Sequence, residues 1–101
     1  MKKIKNIHPG EILQEEFLNE YQISAYKLAK DTNIPATRIS QIIKGKRSIT
    51  ADTALRFSKY FGTTPDFWLG LQIEYDIREE SSLKAKEIKA IKSLYEIRHT
   101  L

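Results

Sequence analysis

Apolar residues recur at helical spacing along this chain, and the polar residues between them divide it into short helices. His8-Pro9-Gly10-Glu11 opens the first, because Pro suits a first helical turn and Glu11 suits the positive end of the helix dipole. Ile12, Leu13 and Phe17 give its buried stripe, while Gln14, Glu15 and Glu16 face water. Ser24 is an N-cap for a second helix with Leu28 and Ala29 inside. Asn33-Ile34-Pro35 ends it, since Asn tolerates a left-handed turn and Pro35 biases Ile34 away from helical geometry. A third helix runs from about Ala36 to Lys44, with Ile39, Ile42 and Ile43 on its buried side and Gly45 as a left-handed C-cap. Thr50 caps the next, with Asp52 and Thr53 in its first turn, Ala54, Leu55 and Phe61 inward, and Gly62 closing it.

Thr64-Pro65-Asp66 starts a helix with two apolar stripes. Trp68, Leu71 and Tyr75 form one, and Leu69, Ile73 and Ile77 the other. One core needs one stripe. The second is either a dimer interface, which Ile88 and Ile91 would extend, or a face that the C-terminal segment folds back to cover. Ser81-Ser82 is expected to break this helix and cap a last one, from Leu83 to about Ile97, with Ile88, Ile91 and Tyr95 among lysines. The reading is thus all-α, with a domain over residues 1–80 and a helical extension over 81–101. Met1 to Ile7 is a basic lead-in of extended or frayed chain, with a minor-groove arm as its functional alternative.

The second and third helices, joined by a tight turn, make a helix-turn-helix, although an ordinary bundle could hold the same pair. Facing outward are Ala36, Thr37, Arg38, Ser40, Gln41 and Lys44, followed by Lys46 and Arg47. Gln suits adenine, Arg suits guanine and the Thr methyl suits thymine, whereas Lys44, Lys46 and Arg47 are candidates for phosphate. Ser24 and Tyr26, at the start of the preceding helix, complete the candidate DNA-binding set.

Charge sharpens this picture. The net charge of +4 over 101 residues is mild. From Ser24 to Arg47, however, six basic residues stand against one acidic, a net +5, whereas Ser48 to Glu80 carries three against six. Positive charge therefore gathers where DNA would be met. A hydrophobic fraction of 41% supports one small core. No cysteine is present, so a thiolate metal site or cysteine nucleophile is excluded. His8 and His99 are too far apart in sequence to suggest a metal or catalytic pair, and the expectation is a non-enzyme without cofactor. No apolar run approaches the roughly 18 residues of a membrane span, and the basic start lacks a signal peptide's apolar core, which makes a cytoplasmic protein the expectation.

Leu28-Ala29, Ile34-Pro35, the run Ile39 to Arg47, and Ile49-Thr50 resemble the Cro/lambda-repressor-like (XRE) helix-turn-helix family. Three further pieces narrow the resemblance to the HigA antitoxins: His8 to Leu13, Ala54-Leu55-Arg56, and Phe61 to Leu69 with Leu71-Gln72 and Tyr75-Asp76. The resemblance covers about Ile7 to Arg78 and fades beyond. It implies a five-helix lambda-repressor-like domain with an added C-terminal segment. It also implies an antitoxin that represses its own operon and neutralises a RelE-like, messenger-RNA-cleaving toxin of the HigB type. Small recognition helices of this kind pair on an inverted repeat, so the expected partners are palindromic operator DNA, a second copy of the chain and the toxin. A stand-alone regulator without a toxin is the alternative.

Overall fold

The computed structural model describes residues 5–99, and all regular structure among them is helical. The chain enters α1 (Pro9–Ile12), passes through a π-helical stretch (Leu13–Leu18) and leaves by α2 (Asn19–Tyr21). The backbone stays right-handed at both junctions, so residues 9–21 form one rod. The π stretch changes which side chains face inward. Asn19 N–H reaches back five residues to the Gln14 carbonyl, and Leu13 and Leu18, five apart, are both fully buried. Of the expected stripe, Leu13 is fully buried and Phe17 packs half-buried against the core, whereas Ile12 is only half-buried outside it and Leu18 takes the inward place.

Four more helices complete the body. Ser24 Oγ accepts from Lys27 N–H at 3.0 Å and starts α3 (Ala25–Thr32). Asn33, at φ 57°, ends it in the left-handed region, and Ile34 N–H closes the turn on the Ala29 carbonyl at 3.0 Å. Helix α4 (Ala36–Ile43) buries Ile39 and Ile42. Gly45, at φ 74°, lets Lys46 N–H return to the Gln41 carbonyl at 2.8 Å. Helix α5 (Ala51–Phe61) begins at Thr50, whose hydroxyl meets Thr53 rather than a backbone N–H, and stops at Gly62. Helix α6 (Pro65–Leu83) starts from Thr64, whose side chain accepts from Phe67 N–H.

Phe57 and Trp68 anchor the core, with Phe17, Phe61 and Phe67 packed around the indole at centroid distances of 4.8 to 6.0 Å. The indole N–H donates to Thr63 Oγ1 at 2.8 Å, so this large side chain is buried without an orphaned donor. Leu55 does not turn inward as expected; it is 58% exposed, and the inward positions of α5 are Thr53, Ala54, Phe57 and Ser58. Ser81-Ser82 does not break α6, which continues to Leu83. The expected last helix is instead two short ones, α7 (Ala85–Lys89) and α8 (Leu94–Arg98). They lie away from the body, with every residue from Ser81 to His99 exposed, so the C-terminal segment does not fold back over α6. The long dimension of 63 Å and radius of gyration of 18.0 Å reflect this, against about 13 Å for a compact chain of this length. In the lead-in, Lys5 pairs with Glu11 at 2.6 Å, and Asn6 Nδ2 donates to the Tyr75 carbonyl and Glu79; Met1–Ile4 lies outside the described residues.

Two contacts lock the first rod to α4 and α6. A Cβ on Gly10 would stand 1.8 Å from the Ile42 carbonyl oxygen, so the backbones touch there with no side chain between them. His8 is buried edge-on against Tyr75, its Nδ1 accepts from Gly10 N–H at 2.9 Å, and Glu11 accepts from His8 N–H, forming a capping box. Gly10→Ala should therefore cost about 1–3 kcal/mol, read as a lower unfolding midpoint. An unchanged midpoint would mean that the two helices can separate freely.

Burial lowers the His8 pKa below its ordinary value, and an acceptor Nδ1 requires the neutral ring. Between the folded pKa and the unfolded value of about 6.5, the unfolded chain binds a proton that the folded chain does not. Stability then rises with pH through that window, is full above about pH 6.5, and erodes as pH falls below it. Thermal unfolding should show this slope in the wild type and a flatter profile for His8→Asn, which keeps a capping acceptor without the titration. The same slope in both proteins would assign it to another group.

Candidate nucleic-acid interface

Helices α3 and α4 are joined through Asn33-Ile34-Pro35, and α4 presents its polar side outward because Ile39 and Ile42 are buried beneath it. Ala36, Thr37, Gln41 and Lys44 are exposed; Arg38 and Ser40 are half-buried. Lys46 and Arg47 follow on the exposed turn after Gly45, and Ser24 and Tyr26 are exposed at the start of α3, Tyr26 by 71%. Among these, the Ser24 hydroxyl is already engaged as the α3 cap.

Side-chain bonds within this surface orient two of the candidate reading residues. Arg47 Nε donates to Gln41 Oε1 at 2.7 Å, so the Gln41 carboxamide is oriented with its NH2 free to donate elsewhere. Arg38 Nη1 donates to Asp52 Oδ2 at 3.2 Å, and Arg56 Nε donates to the other oxygen, Asp52 Oδ1, at 3.0 Å. The hydrogen bond from Arg56, with Arg38 adding to it, holds the Asp52 carboxyl below the usual carboxylate range. Arg56 Nη1 also donates to the Thr32 carbonyl at the end of α3, tying α3 to α5.

Behind the surface, Gln72 is the residue that sequence reasoning left without a role. It is buried on α6, accepts from Ile49 N–H at 2.8 Å and donates to Asp76 at 2.9 Å. It therefore fixes the loop carrying Lys46 and Arg47. A glutamine four residues after Trp68, on the side of the helix that carries the inward stripe, was the available signal, but its partner lies 23 residues away. In sequence Asp52 is an acid in a helix's first turn; its place beside Arg38, 14 residues away, comes from the fold. The candidate interface residues Leu69, Ile73 and Ile77 lie apart from this surface on α6: Leu69 packs against the core, whereas Ile73 and Ile77 are 57% and 58% exposed. Ile88 and Ile91 are exposed in the C-terminal segment.

A second helix with its polar side exposed, carried on a short turn and followed by the basic residues Lys44, Lys46 and Arg47, is the arrangement of a helix-turn-helix DNA-binding domain. The Helix-turn-helix family matches residues 15–68 of this chain. An addiction module antidote protein of a HigA family from Coxiella burnetii is 50% identical, with a TM-score of 0.84 over 89% of this chain and 99% of that one. The Pseudomonas aeruginosa antitoxin HigA with the higBA promoter is 40% identical, with a TM-score of 0.85 over 89% of this chain and 99% of that one. Virulence-associated protein I of Dichelobacter nodosus is 49% identical over 72 residues, which are 71% of this chain and 67% of that protein. The chain belongs to the helix-turn-helix family, in its HigA-type branch.

Reading and anchoring residues should separate on substitution. Gln41→Ala should cost about 1–3 kcal/mol on the preferred site and relax specificity at one position per half-site. Lys46→Ala should weaken binding to all sequences and reduce the salt slope by about one. Titrations on specific and random duplexes at several salt concentrations check this. Equal losses on both duplexes for Gln41→Ala would remove it from the reading set.

Proposed function

We propose that this chain is the antitoxin of a type II toxin–antitoxin module. It dimerises, binds palindromic operator DNA to repress its own operon, and neutralises a RelE-like, messenger-RNA-cleaving toxin of the HigB type. The observation that carries the DNA half is the outward side of α4, where Thr37, Arg38 and Gln41 stand exposed or half-exposed beside the Lys44–Arg47 turn. Similarity to HigA proteins supports the toxin half.

Three features support dimerisation through α6 and the C-terminal segment. The Ile73 and Ile77 side chains are left uncovered by the described residues. Gly70 lies on the same exposed side, and a Cβ there would meet nothing within 4 Å, so packing within the chain gives no reason for a residue that weakens helices. Helices α7 and α8 have five residues each, and with the link between them they expose Ile88, Ile91, Leu94, Tyr95 and Ile97; helices this short are marginal unless packed. A second copy would bury these groups and set two recognition helices one DNA turn apart, roughly 34–36 Å.

The direct test is a gel shift on the chain's own upstream DNA, with and without the neighbouring gene product, paired with an assay of ribosome-dependent messenger cleavage. Operator binding without inhibition of cleavage would leave a stand-alone regulator. Ile73→Glu would place a charge in the apolar seam and should give monomers of unchanged helicity. Their operator affinity should fall about 100-fold or more, because two half-sites no longer bind as one unit. Light scattering and gel shifts report this, and a variant that stays dimeric with normal binding places the interface elsewhere.

A further inference from the structure

Arg38 is the only charged side chain within α4, so its direction matters more to base reading than that of any lysine on the neighbouring turn. It is not free to choose that direction. Its Nη1 is held 3.2 Å from Asp52 Oδ2, and its side chain is 31% exposed. Asp52 is itself held, because its second oxygen takes Arg56 Nε at 3.0 Å. Arg56 is held in turn, with Nη1 on the Thr32 carbonyl at 3.0 Å. The chain of bonds therefore runs from the backbone at the end of α3, through α5, to the base-facing side of α4.

We infer that Asp52 is a positioning residue for DNA recognition, fixing the guanidinium of Arg38 for a guanine edge and so setting operator specificity without touching a base. The inference rests on the DNA-binding reading proposed above. A guanidinium has five N–H donors in a planar fork, and one bond to Asp52 leaves the others for guanine O6 and N7. An arginine already ordered in the free protein loses less rotamer freedom on binding. The carboxylate also repels phosphates, so it tightens only the complex in which Arg38 has found its base. Asp52 should thus favour discrimination over raw affinity.

The test measures affinities of wild type, Asp52→Asn, Arg38→Ala and the double variant for the operator and for a random duplex, with melting temperatures in parallel. Asp52→Asn is expected to lower operator affinity about tenfold, a loss within the discrimination of one base contact. Random-duplex affinity should hold or rise, and selectivity should flatten at one base pair per half-site. In the Arg38→Ala background the same change should leave the operator-to-random ratio alone. Asp52→Ser, which suits a first helical turn, supplies a second variant if Asp52→Asn proves unstable. A ratio unchanged by the Asp52 variants overturns the inference while leaving DNA binding intact, as does tighter operator binding, which would make Asp52 a competitor for Arg38. An equal ratio change with and without Arg38 overturns it too. A wild type with no preference for the operator overturns both the inference and the reading beneath it.

Discussion

The contact between the Gly10 backbone and the Ile42 carbonyl is the constraint on which the rest of the arrangement depends. Two helices usually approach with side chains between them, about 8–10 Å axis to axis. Here a glycine removes the obstacle, and the first rod lies directly against the end of the recognition helix. The same approach brings the His8 ring beneath Gly45, where a Cβ added at that position would sit 3.6 Å from it, and lets His8 cap α1 while packing on Tyr75 of α6. Gln72 then holds the Ile49 backbone from the other side. The recognition helix is thus gripped where it ends, through contacts that never reach its outward side.

Polar groups take part in this grip without remaining unsatisfied. Among the described residues, no buried side-chain nitrogen or oxygen lacks a partner. The ion pairs play a different part. Asp52 with Arg38 and Arg56, and Lys27 with Asp31, lie at the surface, where such pairs add little to stability. Their structural consequence is orientation, because each fixes a long side chain beside the basic surface that the chain would turn toward phosphates.

Apolar surface is distributed unequally between body and tail. Leu13, Leu28, Ile39, Ile42, Phe57 and Trp68 are fully buried, whereas Ile73, Ile77, Ile88 and Ile91 are at least half exposed. The first group explains why residues 8–72 fold around one centre. The second has no counterpart among the described residues, and together with two five-residue helices it describes a surface that gains stability only by being covered.

Much of this architecture was legible in the sequence because it is local. Ser24, Asn33, Gly45, Gly62 and Thr64 punctuate the helices where expected, since caps and left-handed turns are decided by a few neighbouring residues. The isoleucine spacing of α4 likewise announced which side would face outward. The π stretch was not legible: its extra residue per turn follows from burying both Leu13 and Leu18, and spacing rules assume an unbroken α-helix. Leu55 looked like core by type, yet the rotation of α5 set by Phe57 against Trp68 leaves it outside. The serines at 81 and 82 looked like a break, but nothing in the backbone requires one and α6 runs on. Arg38 with Asp52, and Gln72 with Ile49, are separated by 14 and 23 residues, and only the packing of one helix on another brings such partners within bonding distance. Sequence determined the helices and the outward side of the recognition helix, because those depend on neighbours along the chain. Tertiary structure decided how that side is aimed, because aim depends on contacts between residues far apart in sequence.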